Sequence, residues 1–272
     1  MNWNRWKYAT RVALGLNPAG RRLTVLPDDV FIVSYPRSGN TWTRFLIGNL
    51  LNPDHPVTFA NVESRVPEIY LCSDRQLRNL AKPRVMKSHE YFDPRYKRTI
   101  YLIRDPRDVA VSLYHYSMKR KDVSDGYPLD EFVRRFIAGE FFEDCGTWEE
   151  HILSWLSPRR DKNGFLFLKY EDLLANPLAG LAKIASTLQL EPTPEALARA
   201  VELSSAAQMR NSEKKHSADW KLTKDTRQDI PFVRAAKAGD WQGKLSPAAA
   251  RQIEQAWGPT MEELGYSVPH LL

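Results

Sequence analysis

The run Val30-Phe31-Ile32-Val33 is short, apolar and largely β-branched, and Pro36 and Gly39 follow it closely. Such a run reads as a buried strand. Pro36 ends the strand and Gly39 permits a tight turn. Residues 40–51 then carry the apolar spacing of a helix. Strand, tight turn and helix in that order leave the first N–H groups of the helix free and pointing into the turn. This corner restricts the folds open to the chain and makes a cradle for a phosphate or sulfate. Arg37 adds a fixed positive charge, and Ser38, Asn40 and Thr41 add neutral donors. Trp42 has two readings, an indole stacked on a purine or a core residue. The Walker pattern of Gly, four residues, then Gly-Lys-Ser or Gly-Lys-Thr occurs nowhere in the chain, which disfavours a standard ATPase or kinase loop.

Three more short strands are expected at residues 84–87, 98–103 and 164–169. Helices are expected near 74–80, at 129–138, 146–157 and 194–203, through Leu178, Leu181, Ala185 and Leu188, and at the end through Ile253, Trp257 and Leu264. Asp105-Pro106-Arg107-Asp108 reads as a helix start, with Asp105 as N-cap, Pro106 at the first helical position and an acid in the first turn. The helix it opens carries Val109, Leu113 and Tyr116 as a core stripe, with Ser112 on the same side. That hydroxyl either bonds back to a carbonyl one turn earlier or faces a ligand. Residues 211–240 are polar and Lys-rich without a clear period, and read as a long loop of the kind used as a lid.

Short apolar strands alternating with helices imply an α/β fold, a three-layer sandwich with a central parallel sheet and helices on both faces. Ligands gather at the carboxyl ends of such strands. Arg37 to Thr41 follow the first strand, Lys87 and His89 the second, Arg104 the third and Tyr170 the fourth. With no internal repeat and no low-complexity linker, residues 1–272 read as one domain, of which 1–28 are an N-terminal extension.

The net charge of +6 and the isoelectric point near 9.2 suit an anionic ligand, a nucleic acid or an acidic surface. Lys and Arg are scattered, and the densest run, Met118-Lys119-Arg120-Lys121, meets Asp122 at once and reads as a solvated helix end. No nucleic-acid partner is expected. Cys72 and Cys145 have neither zinc nor disulfide-framework spacing, so no metal is expected and a reducing cytoplasm is the default. Val12 to Leu16 is too short for a signal segment, and no run has the length of a membrane span. Trp3, Trp6 and Tyr8 alternate with Arg5, Lys7 and Arg11, which reads as a helix docked on the body in preference to a lipid contact.

Tyr35-Pro36-Arg37-Ser38-Gly39-Asn40-Thr41-Trp42 resembles the 5′-phosphosulfate loop of the cytosolic-type sulfotransferases, a P-loop-like turn. Arg104 to Ser112 resembles their 3′-phosphate site, and Lys87-Ser88-His89 the segment with their catalytic base. Lys169-Tyr170-Glu171-Asp172 and Gly239-Asp240-Trp241 resemble further signatures in the same order, so the likeness spans roughly residues 30 to 265. It implies transfer of a sulfuryl group from 3′-phosphoadenosine 5′-phosphosulfate (PAPS) to a hydroxyl or amine of a small acceptor. It implies that Arg37, Ser38, Gly39, Asn40 and Thr41 hold the 5′ end, and that Trp42 stacks on adenine. Arg104 and Ser112 would hold the 3′-phosphate, Tyr170 and Ser204 would contact the nucleoside, and Arg234 would close over the 3′-phosphate. His89 is then the candidate general base, with Lys87 and Arg37 stabilising developing charge.

The chain departs from the family pattern in three places. Arg37 stands where many members have Lys, and it offers a fork in place of a compact charge. Ala235-Ala236 replace a Lys-Gly pair in the late loop, where Gly lets the backbone approach closely. The animal members' dimerisation signature is absent, which leaves homo-oligomerisation open. Two other classes compete, a nucleotide kinase of related architecture and a non-catalytic nucleotide- or nucleic-acid-binding module. The acceptor, a phenol, alcohol or amine, is not named by these residues, although Phe59, Tyr70, Tyr91, Phe141, Phe142 and Trp148 hint at a hydrophobic or phenolic alcohol.

Overall fold

A computed structural model describes residues 18–142 and 144–269. The segment from Trp3 to Leu16 lies outside the described residues. In chain order the first elements are β1 (Val30–Ser34), α1 (Asn40–Leu51), α2 (Val62–Arg65), α3 (Asp74–Arg78), β2 (Val85–Ser88) and β3 (Arg98–Ile103). Then come α4 (Pro106–Arg120), α5 (Leu129–Ile137), α6 (Trp148–Arg159), β4 (Phe165–Lys169) and α7 (Tyr170–Ala175). The last are α8 (Pro177–Thr187), α9 (Pro194–Leu203), α10 (Ala206–His216) and α11 (Pro247–Glu263).

The four strands form one parallel sheet in the order β2-β1-β3-β4. Val30 of β1 pairs with Val85 on one side and Arg98 on the other. Successive strand residues point to opposite faces, and the two faces of β1 enter two cores. Phe31 and Val33 join Val109 and Leu113 of α4, Phe132 of α5, Trp155 of α6 and Trp257 of α11. Val30 and Ile32 join Leu46 and Ile47 of α1, Leu173 of α7, Leu181 and Ile184 of α8 and Ala200 of α9. Helices therefore cover both faces, the three layers expected. The chain leaves β1 towards β2 and later lays β3 against the other edge of β1. The strand order reverses there, and the segments that follow β1 and β3 flank a crevice at the carboxyl end. The start of α4 is as its residues dictate: Pro106 is the first helical residue, and the Asp105 carboxylate accepts the Arg107 N–H at 2.9 Å.

Two expectations are corrected. Residues 211–240 are not loop throughout, because α10 continues to His216 and Trp220 packs in a third core with Phe45 and Phe59. The buried residues of α10 are Met209 and Glu213, too few apolar positions to print a helical period. Lys119 does not sit at a solvated helix end. It is buried, and its Nζ donates to the carbonyls of Arg227 and Ile230 at 2.8 Å each, while Arg120 and Lys121 stay exposed.

The turn after β1 rests on backbone conformation. Arg37 has a φ of 70° and Gly39 a φ of 96°. A Cβ on Gly39 would lie 2.5 Å from Cδ2 of Tyr170, the first residue of α7. Glycine is required there twice, for its left-handed backbone and for the ring that lies against it. Gly39→Ala is expected to destabilise the protein by about 1–3 kcal/mol, as read from urea unfolding. An unchanged unfolding midpoint would contradict the close approach of Tyr170.

Candidate functional site

The corner between β1 and α1 supplies donors. The first N–H groups of α1 have no partner within the helix, and the left-handed residues Arg37 and Gly39 curl the preceding backbone around them, as in anion-binding nests. Asn40 braces the corner, its amide donating to the Ile32 carbonyl at 3.2 Å and to Ser34 Oγ at 3.1 Å. The Ser38 hydroxyl is fully buried and has no protein partner. Trp42 donates its indole N–H to the Ser204 carbonyl at 3.0 Å and meets the Tyr170 ring edge-on at 5.8 Å. The Ser204 hydroxyl is committed to structure: it donates to the Ala200 carbonyl at 2.7 Å and accepts from Asn49 at 3.0 Å.

Three arginines share one side of the site. The Arg37 guanidinium lies 4.5 Å from the Tyr116 ring centre and 4.7 Å from that of Phe232, and its Nε donates to Ser112 Oγ at 3.2 Å. Ser112 thus faces the site. Burial, with Arg104 and Arg234 adding to it, pulls Arg37 down to about 10, so it keeps its charge at neutral pH. Arg104 rests on the Tyr170 ring at 4.4 Å, donates to the Lys237 carbonyl at 3.1 Å and lies 3.4 Å from Asp108. Its Nε is buried without a partner. Arg234 is paired with Asp240 at 2.5 Å, and Lys237 reaches the same carboxylate at 3.3 Å. Ala236 holds a φ of 51°, the left-handed conformation for which glycine is the better residue.

At the other end lie Lys87 and His89. A short parallel bridge lays Glu68 beside β2, and Lys87 Nζ donates to Glu68 Oε2 at 2.7 Å. Burial lowers the Lys87 pKa and the Glu68 charge opposes the shift. His89 Nδ1 lies 2.6 Å from the Ser34 carbonyl. A carbonyl can only accept, so Nδ1 carries the proton and Nε2 the lone pair. Burial first, then the Lys87 ammonium, hold His89 well below the ordinary histidine value. The imidazole is therefore neutral at pH 7.

These groups meet in a single cavity of about 830 Å³. Every site residue expected from the sequence lines it except Ser38, which is fully buried in the turn. Of the six aromatics, Tyr70, Phe141 and Phe142 line the cavity, Phe59 and Trp148 are buried in the cores, and Tyr91 is half-buried outside the lining. Sequence reasoning missed Glu68, which no motif marks, and the clamp on the late loop. The Glu213 carboxylate accepts the N–H groups of Phe232 and Val233 at 2.5 and 2.9 Å. Arg210, one turn earlier on α10, donates to the carbonyls of Val233 and Arg234 at 3.3 and 2.6 Å. Among the described residues no group of three His, Cys, Asp or Glu side chains could hold a metal ion, and no helix is long and apolar enough to cross a membrane.

The sulfotransferase domain family matches residues 27–265. Sulfotransferase 2B1 of Homo sapiens is 31% identical over 249 residues, 87% of this chain and 67% of that protein. Sulfotransferase 1B1 of Canis lupus familiaris is 29% identical over 244 residues, 84% of this chain and 81% of that protein. Among solved structures, retinol dehydratase in complex with androsterone and the inactive cofactor PAP has a TM-score of 0.75 at 22% identity, over 92% of this chain and 85% of that one. Mouse sulfotransferase SULT7A1 complexed with PAP has a TM-score of 0.70 at 22% identity, over 93% and 90%. These two likenesses speak to the fold, and the domain match speaks to descent. With the domain matched over residues 27–265, and with a relative 31% identical over 87% of the chain's length, the chain belongs to the sulfotransferase family and is a PAPS-dependent sulfotransferase.

Proposed function

We propose that His89 is the general base of sulfuryl transfer and that the turn after β1, with Arg104 and Ser112, holds PAPS. The observation that carries this reading is the His89–Ser34 hydrogen bond, which leaves a neutral ring with its lone pair on Nε2 in the wall of the cavity. The residues fit the nucleotide. The buried Ser38 hydroxyl and Arg104 Nε are donors without partners, and a buried donor left unpaired costs about 1–3 kcal/mol until an acceptor arrives. PAPS, when bound, supplies a sulfuryl group already joined to a phosphate leaving group.

The turn N–H groups, with Ser38 and Thr41, take the 5′ end. Arg104, Ser112 and Arg234 take the 3′-phosphate. Trp42 and Tyr170 flank the base, and Ser204 serves by accepting the Trp42 indole N–H, since its hydroxyl is engaged elsewhere. His89 Nε2 takes the acceptor's proton as its oxygen attacks. Lys87 and Arg37 stabilise the negative charge on the sulfuryl and leaving oxygens. Residues 217–240, past the end of α10, act as the lid, placing Phe232 over Arg37 and Arg234 beside the cavity.

The acceptor is read as a small hydroxyl compound with a hydrophobic or phenolic body, because Tyr70, Phe141 and Phe142 line the cavity and the Tyr70 ring lies parallel to His89 at 6.5 Å. The free thiols of Cys72 and Cys145 accord with a cytoplasmic setting. The kinase and nucleic-acid readings have no support from the family match.

His89→Ala is expected to lower turnover by roughly 10²- to 10⁴-fold while calorimetric affinity for PAP stays as in the parent. Because the base form persists down to the depressed pKa, parent turnover should hold through pH 6.5 and fall only at more acid pH. Normal turnover in the variant would remove His89 from the mechanism. Arg104→Ala is expected to reduce the preference for PAP over 5′-AMP by about tenfold or more, the worth of a charged hydrogen bond. Equal preference in parent and variant would contradict the 3′-phosphate assignment.

A further inference from the structure

His89 and Glu90 lie just past the end of β2, where no neighbouring strand pairs with them. Buried carbonyls there must find partners elsewhere. They find them on one face of α6. His151 Nε2 lies 3.1 Å from the His89 carbonyl, and the Trp155 indole N–H donates to the Glu90 carbonyl at 2.9 Å. Residues four apart on a helix lie one above the other, so α6 reads two consecutive carbonyls with two consecutive turns. The Cys145 thiol adds a contact of 3.3 Å to the His89 carbonyl.

His151 is fully buried and is held in turn by Tyr101 of β3, whose hydroxyl lies 2.8 Å from Nδ1 and 3.3 Å from the His151 carbonyl. The His89 carbonyl can only accept, so the His151 proton belongs on Nε2. Nδ1 is then the lone pair, and the Tyr101 hydroxyl donates to it. Tyr101 is itself buried, with rings of α6 and β4 around it.

We propose that Tyr101 and His151 are positioning residues for the catalytic base: a one-way chain of hydrogen bonds, Tyr101 O–H to His151 Nδ1 and His151 Nε2–H to the His89 carbonyl, fixes the His89 main chain so that its ring keeps Nδ1–H on Ser34 and Nε2 towards the cavity. The inference rests on the reading of His89 as base. Burial supports it, holding His151 down to about 4, so the ring stays neutral and its single proton stays on Nε2. The groups that face His89 are Lys87 and Tyr70 near its own strand, Cys145 and His151 on the opposite side, and Arg44 of α1 beyond. Among the polar groups that touch it, His151 is the side chain that gives the His89 carbonyl a full-strength donor.

The test is long-range proton–nitrogen NMR on protein labelled with ¹⁵N-histidine, without nucleotide. In the parent, His151 should show the neutral Nε2–H tautomer and His89 the Nδ1–H tautomer. His151→Phe keeps a ring and removes the donor. There His89 should lose its fixed tautomer and show both neutral forms. With 2-naphthol as acceptor, turnover should fall by about ten- to a hundredfold, the cost of a small misplacement, with PAP affinity unchanged by calorimetry. His151→Gln, whose amide N–H can reach the same carbonyl, should restore both readouts. Tyr101→Phe should keep the His151 proton on Nε2 and move its Nδ1 resonance downfield, as for a lone pair that has lost its donor, an outcome that needs no folded His151→Phe. A parent His151 protonated on Nδ1, or a His89 whose tautomer is the same in His151→Phe, would overturn the proposal. A normally active His89→Ala would instead retire the base itself while leaving the NMR geometry intact, so the two failures are distinguishable.

Discussion

The carboxylate of Asp108 ties the site together. It sits in the first turn of α4, fully buried, and pairs with Arg104 while its two oxygens accept the N–H groups of Gly239 and Trp241 at 2.9 Å each. One side chain therefore joins the segment after β3 to a loop more than a hundred residues later. Burial raises its pKa, and the Arg104 charge and the two N–H groups work against that rise. A carboxylate satisfied from three directions is a rigid junction. Without it Arg104 would lose its carboxylate partner, and the loop bearing Arg234 one of its attachments to the body.

The same logic recurs around the cavity. Of the four cations expected at the site, three have a counterpart: Lys87 has Glu68, Arg104 has Asp108, and Arg234 has Asp240. Arg37 is the exception, lodged between two rings and a hydroxyl and pulled down by burial. A guanidinium suits that lodging better than an ammonium, because it is planar, weakly hydrated and stacks on aromatic faces. Arg in the place of the commoner Lys is thus accommodated by Tyr116 and Phe232, residues that no loop motif includes.

Much of this arrangement could be read from residue order. The four strands, the helix start at Asp105-Pro106, and the convergence of Arg37, His89, Arg104 and Tyr170 at strand ends all follow from local rules, because period, caps and turn residues act over a few neighbours. What escaped has a common cause. Asp108 reads as an acid in a first turn, and nothing local says that it receives N–H groups from Gly239 and Trp241. Lys119 reads as solvated because its neighbours are charged, yet it faces inward to carbonyls in a distant loop. α10 goes unseen because its buried face is Met209 and Glu213. Ser204 looks like a ligand contact by motif, and its hydroxyl is spent on Ala200 and Asn49. Long-range polar pairing leaves no period and no spacing to detect.

The clamp that Arg210, Glu213 and Lys119 place on residues 227–235 carries a thermodynamic consequence. Peptide groups in that stretch are satisfied by side chains of α4 and α10 before any ligand is present. The conformational entropy lost in ordering it is then borne largely when the chain folds. A molecule entering beneath it meets a roof already in place, and the free energy of its contacts goes to affinity and orientation instead of to assembling that roof.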